Sequence, residues 1–88
     1  MNRLIQPRRR QLILPDGRAE LCYQLFTGRR DNRQIYSLYV TLVRDSHAES
    51  DFVFDIARSR EASAGLLDLL FRNTVTPCTL REVLSELL

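Results

Sequence analysis

Lysine is absent from this 88-residue chain, and glycine and proline are scarce at three residues each. Three glycines leave little material for a glycine-rich phosphate loop, and neither HExxH nor GxSxG occurs. The two cysteines, Cys22 and Cys78, stand far apart and form no CxxC pair, and the single His47 cannot complete a four-ligand zinc set. No uninterrupted apolar run approaches the roughly 18 residues of a membrane-spanning helix. The start, MNRLIQPRRR, has no apolar segment of the kind a signal peptide needs. These absences point to a chain in a reducing cytoplasm, with both thiols free, no cofactor, no metal and no membrane partner.

What is present is ordinary for one small folded domain: 44% hydrophobic and 27% charged residues. All 13 basic residues are arginine. Guanidinium groups pair planar carboxylates and phosphates through two parallel bonds, while composition bias of the source genome would give the same usage. The net charge of +2 hides a polarity along the chain. Residues 1–44 carry nine arginines against Asp16, Glu20 and Asp31, a balance of +6. Residues 45–88 carry Arg58, Arg60, Arg72 and Arg81 against eight acids, a balance of −4. The basic half could meet nucleic acid, an acidic protein surface, or the acidic half of the same molecule.

The patterning predicts an α+β fold: a three- or four-stranded antiparallel meander followed by two C-terminal helices packed on one face. Residues 1–10, with Pro7 ahead of Arg8, Arg9 and Arg10, read as a loosely docked basic arm on a single domain over 11–88. Gln11–Leu14 makes a short strand, and Pro15, Asp16 and Gly17 a tight turn. From Ala19 to Thr27, Leu21, Tyr23 and Leu25 alternate with Cys22, Gln24 and Phe26. Gln34–Arg44 alternates likewise, with Tyr36, Leu38, Val40 and Leu42 on the core side. In Asp51–Ala57, Phe52, Phe54 and Ile56 are assigned to the core and Val53 to the opposite face. Ser59 suits an N-cap and Asn73 a stop for the first helix. Thr76 and Pro77 suit the start of a second, after a connection of two to four residues.

Two surfaces are candidate sites. Arg8, Arg9, Arg10, Arg18, Arg29, Arg30 and Arg33 would form a polyanion-binding surface if the meander gathered them at one end of the sheet. The sheet face away from the helices carries Phe26, Ile35, Tyr39, Val43 and Val53, too apolar a set for full exposure, and so predicts an interface with a second copy or another protein. Catalysis is not expected. Asp45, Ser46 and His47 hold the residue types of a hydrolase triad, but neighbours in a turn do not form the required hydrogen-bonded chain. Cys78 lies near a helix start with no base beside it in sequence.

The segment DIARSREASAGLLDLLFRNTVTPCTLREVLSELL, preceded by YSLYVTLVR, resembles a group of short Firmicutes proteins of unknown function. Its marks are Asp55 and Ile56 at a strand end, then Asn73, Val75 and Pro77 between two leucine-rich helices. The resemblance covers about the C-terminal two-thirds of the chain, implies the fold, and implies no activity. The combined reading is a small interaction or regulatory module that self-associates through its free sheet face or edge, with a nucleic-acid-associated regulator as the alternative.

Overall fold

The computed structural model describes residues 2–45 and 47–87. Five antiparallel strands, β1 (Asn2–Arg3), β2 (Arg8–Leu14), β3 (Gly17–Arg30), β4 (Arg33–Arg44) and β5 (His47–Val53), precede α1 (Arg60–Arg72) and α2 (Leu80–Leu87). The expected α+β architecture holds, with one strand more than anticipated. β3 is flanked on one side by β4 and then β5, and on the other by β1 and β2 laid end to end.

The N-terminal segment is the main departure. Residues 2–10 are not a loose arm: Asn2–Arg3 and Arg8–Leu14 both pair with β3. Arg3 lies opposite Phe26 and Arg8 opposite Tyr23, so residues 4–7 carry two more residues than the strand they face. This bulge holds Pro7, which has no amide for the ladder. Because the excess is even, the alternation of faces survives it. Leu4 donates its backbone N–H to the Leu25 carbonyl at 2.8 Å, and Leu4 and Ile5 pack against the core.

The hairpins use local turn chemistry. Arg30 faces Arg33 across Asp31 and Asn32, both at positive φ (52° and 64°), the two-residue turn whose twist matches the strands. Gly28 lies inside β3 opposite Ile35, outside this turn. In the β2–β3 turn Gly17 takes φ 145°, and the Asp16 carboxylate there accepts from Arg44 at 2.6 Å.

One face of the sheet is built by Leu21 opposite Leu42, Tyr23 opposite Val40 and Leu25 opposite Leu38. All are buried, with Leu67 and Leu70 of α1 and Leu80 and Leu84 of α2 over them. Val53 belongs to this face, opposite Leu38 and packed against the core, which corrects its assignment to the open one. The strand stops at Val53 and Asp55 adopts φ 56°. That left-handed residue resets the alternation, so Ile56 enters the core although Phe52 and Phe54 do not.

Ser59 caps α1 as expected, its hydroxyl accepting from Ala62 N at 3.0 Å. At the other end Asn73 sits at φ −96° and the left-handed residue is Thr74, at φ 52°. Thr74 N bonds the Phe71 carbonyl and Val75 N the Leu70 carbonyl, the paired bonds of a Schellman ending with threonine where glycine is usual. A β-branched residue is strained there. Thr74→Gly is expected to stabilise the fold by about 0.5–1 kcal/mol, the relief exceeding the lost hydrogen bond from Arg10; the midpoint of urea unfolding checks this. The connection to α2 spans residues 73–79, longer than expected. Thr79 N and Leu80 N bond the carbonyls of Thr76 and Pro77, so a tight i+3 turn leads into the helix.

Candidate functional site

The sheet face turned away from the helices carries a cluster of four aromatic side chains. Phe52 stands opposite Tyr39 in the β4–β5 ladder. Its ring centroid lies 5.9 Å from Tyr39, 6.2 Å from Phe26 and 4.5 Å from Phe54. The Phe52 and Phe54 rings meet edge-on at 72°, a geometry their quadrupoles favour, and the other two pairs are tilted at 47° and 52°. Ser37 is fully buried on β4, and its hydroxyl accepts from Asp55 N at 3.4 Å. Three of the four exposed large apolar side chains lie on this face: Ile13 (85% exposed), Phe54 (58%) and Val43 (47%).

Of the interface candidates, Phe26, Ile35, Tyr39 and Val43 share this face, Ile35 already buried within it. Val53 is on the other side, and Phe52 and Phe54 are the residues sequence reasoning missed. The alternation of Phe52, Phe54 and Ile56 resembles a core stripe, and only the positive φ at Asp55 breaks it. Aspartate tolerates that backbone, but so do many positions where it never occurs.

The charges of the open face lie along its margins. Arg3 and Arg9 are on the β1/β2 edge, Arg18 and Glu20 are at the start of β3 with Glu20 opposite Val43, and Arg30 and Arg33 are at the tip of the β3–β4 hairpin. Between them, the open-face residues of β4 from Ile35 to Val43 and those of β5 carry no charge.

Both edges of the sheet are blunted. The β1/β2 edge is broken at the Pro7 bulge. On the β5 edge, Arg81 pairs with Asp51 through two bonds of 2.9 and 3.1 Å, and the pair takes both backbone groups of Phe52. Phe52 N donates to Asp51 Oδ1 at 3.0 Å, and Arg81 Nη2 donates to the Phe52 carbonyl at 3.3 Å. Groups engaged this way offer nothing to an incoming strand.

The polyanion candidates are not gathered. Arg8 and Arg10 point to the helix layer, their guanidiniums 4.1 and 4.4 Å from the centroid of the Phe71 ring. Arg8 donates to Asp68 at 2.6 Å and Arg10 to Thr74 Oγ1 at 2.9 Å. Arg9 stands 3.8 Å from Glu20. Arg33 clasps Asp55 through bonds of 2.6 and 3.3 Å. The Arg33 hydrogen bond holds the Asp55 carboxyl below its ordinary pKa, with Arg30 and Arg58 adding to the effect. Of these seven, Arg10, Arg18, Arg29 and Arg30 have no carboxylate partner among the described residues. Arg18 and Arg29 lie near opposite ends of β3, roughly 36 Å apart at 3.3 Å per residue. The two halves of the charge polarity are partly matched inside the molecule, through Arg8–Asp68 and Arg33–Asp55.

Other candidate chemistry is quiet. Asp45 occupies a turn at φ 50°, His47 begins β5, and Ser46 lies outside the described residues. The exposed Cys78 thiol donates to Glu49 at 3.3 Å, and that bond, with the repulsion between thiolate and carboxylate, pushes its pKa up. This is the reverse of an activated nucleophile. A hollow of about 510 Å³ between the helices is lined by Leu69, Leu70, Val75 and Val83, with Glu82 and Glu86 at its border. No described helix is long and apolar enough to cross a membrane.

Fold and surface together define a two-layer α+β domain whose helices cover one sheet face and leave an aromatic face open. The chain belongs to a family of unknown function (DUF6514), whose model matches residues 5–88. The match takes in the segment with Arg8–Arg10, which the resemblance read from sequence had left outside. No curated protein and no solved structure matches the chain.

Proposed function

We propose that this chain is a small, non-catalytic bacterial protein of the cytoplasm that docks onto another protein surface through its open sheet face. The observation that carries this reading is the Phe52 cluster: four aromatic rings on an uncharged field, with Phe54 more than half exposed. An apolar sheet face without a covering layer is unusual in a monomer. The free thiols of Cys22 and Cys78 suit a reducing compartment.

The alternative, a nucleic-acid-associated regulator using the arginine-rich half, draws less support. Arg8, Arg9 and Arg33 already have carboxylate partners. Arg10 is held by Thr74 and Phe71. The open-face rings pack on one another instead of standing apart as a base-stacking platform.

Tagged protein is expected to retain a protein partner, itself or another, that Phe54→Glu releases while thermal stability falls by no more than about 1.5 kcal/mol, the worth of the lost ring contact with Phe52. Retention untouched by Phe54→Glu would count against the open face. Capture of a single-stranded oligonucleotide with affinity falling steeply as salt rises would favour the alternative.

A further inference from the structure

We infer that the partner at the open face is a second copy of this chain, the two sheets packed face to face about a point near Phe52 and Tyr39; this rests on the docking reading above. A contact between identical surfaces must be compatible with itself, so any charge near its centre meets its own image. The open face meets that condition in its middle and fails it at its margins. β4 from Ile35 to Val43 and β5 present only apolar and neutral polar side chains there, while Arg3 and Arg9 keep to the β1/β2 edge, Arg18 and Glu20 to the start of β3, and Arg30 and Arg33 to the hairpin tip. A partner selected by charge would need those arginines at the centre.

Shape and polar accounting agree with face-to-face packing. The buried Ser37 hydroxyl already accepts a hydrogen bond, so covering it strands no polar group. Pairing by strand edges is disfavoured, because the Asp51–Arg81 pair occupies the backbone of Phe52 and the Pro7 bulge interrupts the far edge. Taking three strands of about seven residues, the uncharged field measures roughly 14 by 23 Å. With the relief of its aromatic side chains it would remove about 500–600 Å² per subunit, near the lower limit for a specific interface. A weak reversible dimer follows, with a dissociation constant on the order of micromolar to a hundred micromolar.

Sedimentation of the full chain from about 5 to 500 µM, spanning that range, tests this with two matched variants. Phe54→Glu places like charges near the centre and is expected to weaken dimerisation by about 30-fold or more. Ile13→Glu introduces the same charge at the most exposed apolar residue of this face, but on the β2 margin, and is expected to leave the dissociation constant within about threefold. Both sites are exposed, so neither change disturbs the monomer core. A wild-type chain that stays monomeric overturns the inference. If it nonetheless retains another protein that Phe54→Glu releases, the docking reading stands and only the second copy falls. If nothing is retained, both fall. Growth beyond a dimer, or dissociation by Ile13→Glu as strong as that by Phe54→Glu, also overturns the proposed packing.

Discussion

Replacing Phe71 by alanine is expected to destabilise the fold by about 3 kcal/mol, as measured by urea unfolding. The ring is where the N-terminal edge strand meets α1. Guanidiniums of Arg8 and Arg10 lie 4.1 and 4.4 Å from its centroid. Tyr23 contacts it edge-on at 5.8 Å, and it packs against the buried core. Alanine removes apolar burial and both cation–π contacts together, leaving the stems of two arginines around a void. Phe71→Leu restores burial without the π face, so about 1 kcal/mol of the loss is expected to persist in it. A cost below about 1 kcal/mol for Phe71→Ala would show that β2 is held by its ladder alone.

Tyr23→Phe is expected to cost about 2 kcal/mol near neutral pH. The Tyr23 ring is fully buried in the middle of the sheet, and its hydroxyl donates to the Val75 carbonyl at 2.6 Å. Phenylalanine leaves that acceptor inside the protein with no donor, and Val75 is the residue that closes the Schellman ending of α1. Burial pushes the Tyr23 pKa up to about 12, against the opposing pull of Arg10. The neutral form is therefore favoured in the folded state. Its contribution is complete below the ordinary phenol value near pH 10 and is lost as pH rises from there through about 12. Unfolding midpoints of wild type should decline over that window more steeply than those of Tyr23→Phe, which has no phenol there to ionise. Parallel declines would mean that Tyr23 titrates equally in both states.

The parts of the fold written in local alternation were legible before any coordinates. Leu21, Tyr23 and Leu25 against Tyr36, Leu38, Val40 and Leu42 announce a two-faced strand pair, and the register places them opposite one another. Ser59 as a cap needs only its neighbours. The failure at the N-terminus came from dependence on partners distant in sequence. Arg8–Arg10 read as an arm because three like charges in a row repel. In the sheet, Arg9 turns to the open face and Arg8 and Arg10 to the helices. The carboxylate and ring that receive them, Asp68 and Phe71, lie about sixty residues away. Alternation in RRRQLIL is visible only once arginine is allowed at a helix-facing position. Val53 failed for a different reason. One left-handed residue, Asp55, exchanges the faces of everything around it, and no pattern of hydrophobicity records a backbone angle. The candidate site was thus half legible: Phe26, Ile35, Tyr39 and Val43 were found from β3 and β4, while Phe52 and Phe54 were credited to the core.

On the reading proposed above, contact with other molecules runs through the open face around Phe52. Amide shift mapping of the labelled full chain over a concentration series tests it most directly. Shifts are predicted at Tyr39, Thr41, Phe52 and Phe54, with the amides of α1 and α2 unmoved. Shifts confined to Arg29 and Arg30 at the hairpin tip, or to Glu82 and Leu87 beside the helix hollow, or no shifts at all, would contradict it.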